Sequence, residues 1–192
     1  MKRKRTKKLV VFICTGNTCR SPMAEFLFRQ KTLDMGLKKL VVCSAGTRAN
    51  DGEPMNEKSA EILLAKGFEP LSFTSKSVDK KMLKDSLAIV CMTDAQRDLL
   101  MEMRWKTLRE NGEEEEEIDN NVYSFSELAG YEVIDPYGRD KDCYEYVFQL
   151  IEGGMSALTE KILPESIRGK YVEKPRKKTN KSGENRKKEK KI

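Results

Sequence analysis

A five-residue apolar run, Leu9-Val10-Val11-Phe12-Ile13, leads directly into Cys14-Thr15-Gly16-Asn17-Thr18-Cys19-Arg20-Ser21, and Pro22-Met23-Ala24-Glu25 follows at once. The run does not alternate apolar with polar, so a strand built from it is covered on both faces. Proline just inside a helix start is tolerated because its missing N–H has no partner there anyway. Strand, tight loop and helix in this order make the first half of a βα unit, which restricts the chain to an α/β fold with a parallel sheet. The rest of the pattern agrees. It predicts strands near 9–14, 39–45, 87–92 and 121–123, and helices near 21–35, 55–66, 79–84, 94–104, 124–129 and 140–163. No internal repeat is evident. The stretch Arg104 to Asn121, with Trp105 and a run of glutamates, is expected to be a mobile loop insertion.

The loop between strand and helix holds the parts of a phosphate site. Cys14 is a candidate nucleophile once it loses its proton, and a neighbouring cation and a helix N-terminus both favour the thiolate. Gly16 is expected to let the chain turn so that the amides of residues 15 to 20 point inward. Such a nest at a helix start binds anions. Arg20 can fork two parallel hydrogen bonds onto two phosphoryl oxygens, which a lysine cannot do. A phosphate monoester or phosphoramidate held there has sulfur behind its phosphorus, and a phosphocysteine is the expected intermediate. A bare Cys-x5-Arg spacing recurs by chance. The strand-to-helix setting, the internal glycine and the serine after arginine make it informative here.

Such chemistry needs an acid for the leaving group. Ile134-Asp135-Pro136-Tyr137-Gly138 supplies the candidate, because a residue before proline is kept out of helix and lies in a turn or extended segment. A loop aspartate can reach over the pocket, protonate the departing atom, and then activate the water that hydrolyses phosphocysteine.

Together, Cys14 to Glu25 and Asp135-Pro136-Tyr137-Gly138 resemble the low-molecular-weight protein tyrosine phosphatase family, and most of all its bacterial protein arginine phosphatase branch. Ser44-Ala45-Gly46-Thr47 and Ala88 to Thr93 are also similar to family segments. The resemblance spans roughly residues 8 to 163. It implies a single three-layer α/β domain with a central four-stranded parallel sheet flanked by helices, and no metal or cofactor. It implies Cys14 as nucleophile, Arg20 as the phosphate-binding arginine and Asp135 as general acid. Thr15, Gly16, Asn17, Thr18, Cys19, Ser21 and Tyr137 are the implied surroundings of the substrate. Among these, Asn17 would hold the loop in shape, Ser21 would hydrogen-bond the sulfur, and Tyr137 would form an aromatic wall. Cys19 would form a reversible disulfide with Cys14 that protects it from further oxidation. Ser75 would orient Asn17. The family often has histidine two positions before that serine. This chain has Phe73 there and no histidine at all.

Thr18 bears on the substrate. Tyrosine-specific members resembling this chain carry a bulky aliphatic residue there, and arginine-phosphatase members carry threonine. Threonine leaves room for a planar guanidinium and offers a hydroxyl. Phosphoarginine is therefore favoured, with phosphotyrosine as the alternative, which Tyr137 also suits. Arsenate reductases on this fold share nearly the same loop, but they relay a disulfide through two further cysteines about seven residues apart. Cys91 has no such partner, and Cys43 and Cys143 are isolated. Cys43 and Cys91 are expected to be small core residues. A non-catalytic phosphate-binding adaptor is the remaining reading.

Composition sets the context. At 192 residues the chain has room for one ordinary core. Five cysteines, two of them inside one loop, argue against a secreted disulfide framework and for a cytoplasmic enzyme. The apolar runs are too short to cross a membrane. The charged start followed by Leu9 to Ile13 has too short an apolar region for a signal peptide, and cleavage there would destroy the loop. Six basic residues lie between 2 and 8, and twelve Lys or Arg against three Glu lie between 168 and 192, which leaves residues 9–167 at −9 although the total is +6. The expected organisation is a basic arm (1–8), a phosphatase domain (9–167) and a disordered basic tail (168–192) that contacts RNA or acidic proteins weakly. The partners of the domain itself are phosphorylated protein substrates.

Overall fold

The computed structural model describes residues 8–110, 112, 120–163 and 165. The basic arm up to residue 7, the Glu113–Glu117 run and the tail from 168 onward lie outside them. The described chain forms β1 (Leu9–Cys14), α1 (Arg20–Asp34), β2 (Val41–Gly46), α2 (Glu57–Ala65), a 3₁₀ turn (Pro70–Ser72), α3 (Lys80–Asp85), β3 (Ser86–Cys91), α4 (Asp94–Glu110), β4 (Val122–Ser124), α5 (Phe125–Ala129) and α6 (Lys141–Ile162).

The four strands make one parallel sheet in the order β2-β1-β3-β4. Its two faces explain the apolar run that opens the chain. Val10, Phe12 and Cys14 point to one side and pack with Met23 and Phe28 of α1, Phe125 of α5 and Phe148 of α6. Val11 and Ile13 point to the other side, against Met82 and Leu83 of α3 and Leu100 of α4. Every residue from Val10 to Ile13 is fully buried. A strand covered twice cannot spare a polar face, and so alternation is absent. Phe12 meets Phe28 edge to face, with centroids 5.4 Å apart, a favoured aromatic geometry.

The chain leaves β1 toward β2 on one side and returns to β3 on the other. The crevice beyond the carboxyl ends of β1 and β3 is thus a topological switch point, the place where open α/β sheets bind ligands. Cys14 is the last residue of β1. α6 closes the same face: its Gly154 lies so near Phe125 that a Cβ there would come 2.4 Å from the ring.

One expected element differs. α4 does not stop at 104 but runs to Glu110, so the expected loop from Arg104 is helical for its first seven residues. Arg104, Thr107 and Leu108 are buried, and Arg104 Nη1 donates to the Leu83 carbonyl at the end of α3. Burial of this stripe against α3 sustains a turn and a half that the dense charge of the segment conceals.

Candidate active site

The loop from Thr15 to Cys19 joins β1 to α1. α1 starts at Arg20 with Cys19 as its N-cap; the cap offers no side-chain hydrogen bond, and no acidic residue stands in the first turn. The first amides of α1 are therefore left without a side-chain acceptor, and the helix end favours an anion.

The residue that turns the loop is Asn17, with φ of 55°, the sole non-glycine described residue at positive φ. Gly16, expected from the sequence to do this, does not have a positive φ. Asparagine tolerates the left-handed region because its short polar side chain bonds locally. Here that side chain is fully buried and anchored at both ends. Its Nδ2 donates to Ser21 Oγ at 3.0 Å and to Ser44 Oγ at 2.9 Å, and its Oδ1 accepts from the Lys76 amide at 2.9 Å. Ser44 in turn donates to Glu25 Oε2 at 2.6 Å, and Glu25 pairs with Arg29.

Ser75 does not take part. Its hydroxyl donates to the Asn50 carbonyl at 2.5 Å, away from Asn17. The segment still acts on Asn17, but through the next backbone amide, and the orienting serine is Ser44 on β2. Gly46, two residues on, has a tight role of its own. A Cβ there would lie 2.6 Å from the Thr15 carbonyl and 3.1 Å from the Asn17 amide. Only glycine lets β2 approach the loop this closely.

Cys14 Sγ lies 3.0 Å from Ser21 Oγ and accepts from the Asn17 amide at 3.3 Å. An N–H donor aimed at sulfur stabilises a thiolate. Asn17 and Ser21 are fully buried behind the loop and do not line the cleft. They do not face the substrate; Asn17 is bonded within the loop and to β2, and Ser21 contacts the sulfur.

Arg20 reaches across to the second segment. Its Nη2 donates to Asp135 Oδ2 at 2.6 Å and its Nη1 to the Val133 carbonyl at 3.2 Å. Its Nε is buried without a partner among the described residues, a donor directed at neither segment. Asp135 is half-exposed. It is held in an Asx turn by the Tyr137 amide, which donates to its Oδ1 at 3.2 Å. Tyr137 is 73 % exposed.

These groups line a cleft of about 330 Å³, formed by Cys14, Thr15, Gly16, Thr18, Cys19, Arg20, Asp135 and Tyr137 with Arg48, Asn50 and Glu53. The last three come from the loop after β2, which carries no motif of its own. The only signal was their position just after Ser44-Ala45-Gly46-Thr47. Asn50 Nδ2 donates to Glu53 Oε1 at 2.9 Å across that wall. Thr18 is half-buried at the rim and carries its Oγ1 3.6 Å from Cys19 Sγ.

Cys19 sits beneath the rim, buried, with its sulfur 3.6 Å from the Tyr144 hydroxyl of α6. Burial pushes the Cys19 thiol up, against the lowering effect of its bonds to Tyr144 and Thr18. Burial also raises Tyr144, with the Cys19 contact adding to it. All five cysteines are free thiols. Cys91 belongs to the core on the opposite sheet face from Cys14, and burial, the largest cause, pushes its thiol far up. It cannot relay a disulfide to this cleft. Among the described residues no group of three His, Cys, Asp or Glu side chains is placed to hold a metal ion.

A sulfur with a backbone N–H and a serine hydroxyl behind it, an arginine fork and a carboxylate across one cleft define a cysteine-dependent phosphatase. Comparison with known proteins agrees. The chain matches the low molecular weight phosphotyrosine protein phosphatase family model over residues 9–168. It is 34% identical over 154 residues to low molecular weight protein-tyrosine phosphatase A of Mycobacterium tuberculosis, covering 78% of this chain and 88% of that one. It is 30% identical over 142 residues to the PtpB phosphatase of Staphylococcus haemolyticus, covering 73% and 89%. Among solved structures it is similar to the YwlE arginine phosphatase in a variant with a phosphorylated active-site serine. That match has a TM-score of 0.67 and 25% identity and covers 79% of this chain and 93% of that one. The chain belongs to the low molecular weight phosphotyrosine protein phosphatase family. It is an enzyme that acts on phosphorylated proteins, and among its described residues no helix is long and apolar enough to cross a membrane.

Proposed function

We propose that the enzyme works through a phosphocysteine on Cys14 and that its preferred substrate is phosphoarginine. Cys14 attacks phosphorus, forming the S–P bond as the P–N or P–O bond to the leaving group breaks. Arg20 and the loop amides hold the phosphoryl oxygens through this step. Asp135 gives its proton to the leaving nitrogen or oxygen. As a carboxylate it then takes a proton from the water that attacks phosphocysteine, and Cys14 leaves as thiolate, stabilised by Ser21 and the Asn17 amide. The 3.0 Å contact between Cys14 Sγ and Ser21 Oγ, on the same loop that presents Arg20 to Asp135, carries this mechanism.

The substrate preference rests on the cleft walls. Two carboxylates, Glu53 and Asp135, line the cleft with Asn50 and Thr18, and Tyr137 is the one aromatic residue among the lining residues. Guanidinium N–H groups have acceptors on such walls, whereas a phenol ring has little to stack on. The name of the YwlE arginine phosphatase favours the same reading. Phosphotyrosine is the second reading, favoured by Tyr137 and by the names of the relatives from Mycobacterium and Staphylococcus. Matched phosphoarginine and phosphotyrosine peptides decide between them. Wild type should show the higher kcat/KM on phosphoarginine, and Thr18→Ile should shift preference toward phosphotyrosine. A wild type that favours phosphotyrosine overturns the assignment.

Cys19 adds a redox role. Peroxide converts Cys14 to a sulfenic acid, and the Cys19 thiol displaces water from it to give a disulfide that thiols reduce. Cys19→Ala should then fail to recover activity after peroxide and thiol treatment, and recovery equal to wild type refutes it. Five free thiols fit a reducing compartment such as the cytoplasm.

A further inference from the structure

The buried side chain of Gln96, in the first turn of α4, takes no part in the chemistry described above. Its orientation follows from its neighbours. The Met92 amide donates to Gln96 Oε1 at 3.1 Å, so the carbonyl end of the side-chain amide must face β3. The nitrogen end then faces the other way, and Nε2 donates to Thr15 Oγ1 at 3.1 Å. The Gln96 backbone amide donates to Thr93 Oγ1 at 3.3 Å, which holds the start of α4 in place.

Both ends of this bridge lead into the cleft. Thr15 is the first residue after Cys14 and lines the cleft. Met92 follows β3, and its amide also donates to the Ile13 carbonyl beside Cys14 at 3.0 Å. The Met92 carbonyl accepts from the Val133 amide at 3.0 Å, and the Val133 carbonyl accepts from Arg20 Nη1 at 3.2 Å. Val133 lies two residues before Asp135. Gln96 thus spans from the entry of the nucleophile loop to the strand end from which the acid segment hangs. A buried amide satisfied at both ends holds its partners in one arrangement.

We propose that Gln96 is a positioning residue, acting through Thr15, that keeps Cys14 in register with Asp135 across the scissile bond. Misplacement of groups in an in-line displacement is costly even when no reacting atom is touched. This does not depend on which phosphorylated residue is preferred, because the same alignment serves both.

The test is a double-mutant cycle on the full-length enzyme. Gln96→Met keeps volume and loses both hydrogen bonds; Thr15→Val keeps shape and loses the hydroxyl. Each should lower kcat/KM on phenyl phosphate about tenfold, a loss of ~1.4 kcal/mol in transition-state stabilisation. The double variant should be no worse than the poorer single one, the non-additivity expected of residues acting as a unit. The loss should be several-fold smaller on p-nitrophenyl phosphate, whose leaving group needs little help from Asp135. Multiplying losses, equal losses on the two substrates, or an unchanged kcat/KM alongside a lowered unfolding midpoint each overturn the proposal, the last showing a purely structural residue. If Gln96→Met does not fold, Thr15→Val breaks the same bond from the exposed side and its leaving-group dependence alone decides.

Discussion

Replacing Asn17 separates two contributions that the loop combines. Asn17→Ala removes three buried hydrogen bonds, to Ser21, Ser44 and the Lys76 amide. At about 1 kcal/mol each, that loss is about 3 kcal/mol. Alanine must also occupy φ of 55°, which costs roughly 1–2 kcal/mol for a residue with a Cβ. Asn17→Gly loses the same hydrogen bonds but has no Cβ to strain. Its extra freedom in the unfolded chain costs roughly 0.5–1 kcal/mol. Alanine should therefore destabilise by about 4–5 kcal/mol and glycine by about 3.5–4 kcal/mol. Both remain folded if the enzyme has the usual stability of roughly 5–15 kcal/mol. Urea unfolding followed by tryptophan fluorescence and circular dichroism gives both numbers. A glycine variant no more stable than alanine refutes the left-handed strain argument, and a loss under about 1 kcal/mol in both refutes the hydrogen-bond account.

Three further outcomes are expected. Asp135→Ala should lower kcat about 10²–10⁴-fold, as loss of a general acid does. It should also tighten inhibition by vanadate, because Asp135 no longer occupies Arg20 Nη2; weaker vanadate inhibition contradicts that pairing. Gly154→Ala should cost about 1–3 kcal/mol in denaturant unfolding, since its Cβ would enter the Phe125 ring on α5; a neutral result means that α6 packs less closely than described. Burial raises the Cys43 thiol to about 11 from 9.0. The unfolded chain loses this proton near pH 9 while the folded one keeps it, so stability is full below pH 9 and falls as pH rises toward 11, by roughly 2 kcal/mol. Cys43→Ala should flatten that slope in pH-dependent melts, and an unchanged slope assigns it elsewhere.

The legible part of the molecule was the part whose chemistry lies in consecutive residues. Leu9 to Ser21 declared strand, loop and helix start together, and Asp135-Pro136 declared a turn, because proline constrains its neighbour locally. The structure places Cys14, Arg20 and Asp135 in one cleft. What sequence reading missed depends on approach from afar. Asn17 rather than Gly16 takes the left-handed turn because Ser44 and Lys76, from two other segments, hold its side chain there. Ser75 does not orient Asn17 because its segment contributes the Lys76 backbone amide, which has no side-chain signature. Arg48, Asn50 and Glu53 reach the cleft from the loop after β2, next to Gly46, whose missing Cβ lets β2 lie against the nucleophile loop. The end of α4 was hidden because its stripe, Arg104, Thr107 and Leu108, contains one apolar residue and is buried all the same.

The central claim, covalent catalysis by Cys14, is most directly tested in a single turnover. Acid-quenched wild type, mixed with excess aryl phosphate and analysed by peptide mass spectrometry within the first turnover, should carry a phosphoryl group on Cys14 in step with a stoichiometric burst of phenol. Cys14→Ser should show no steady turnover, and any phosphoryl group it retains should sit at position 14. A phosphoryl group on another residue, or sustained turnover by Cys14→Ser, contradicts the account.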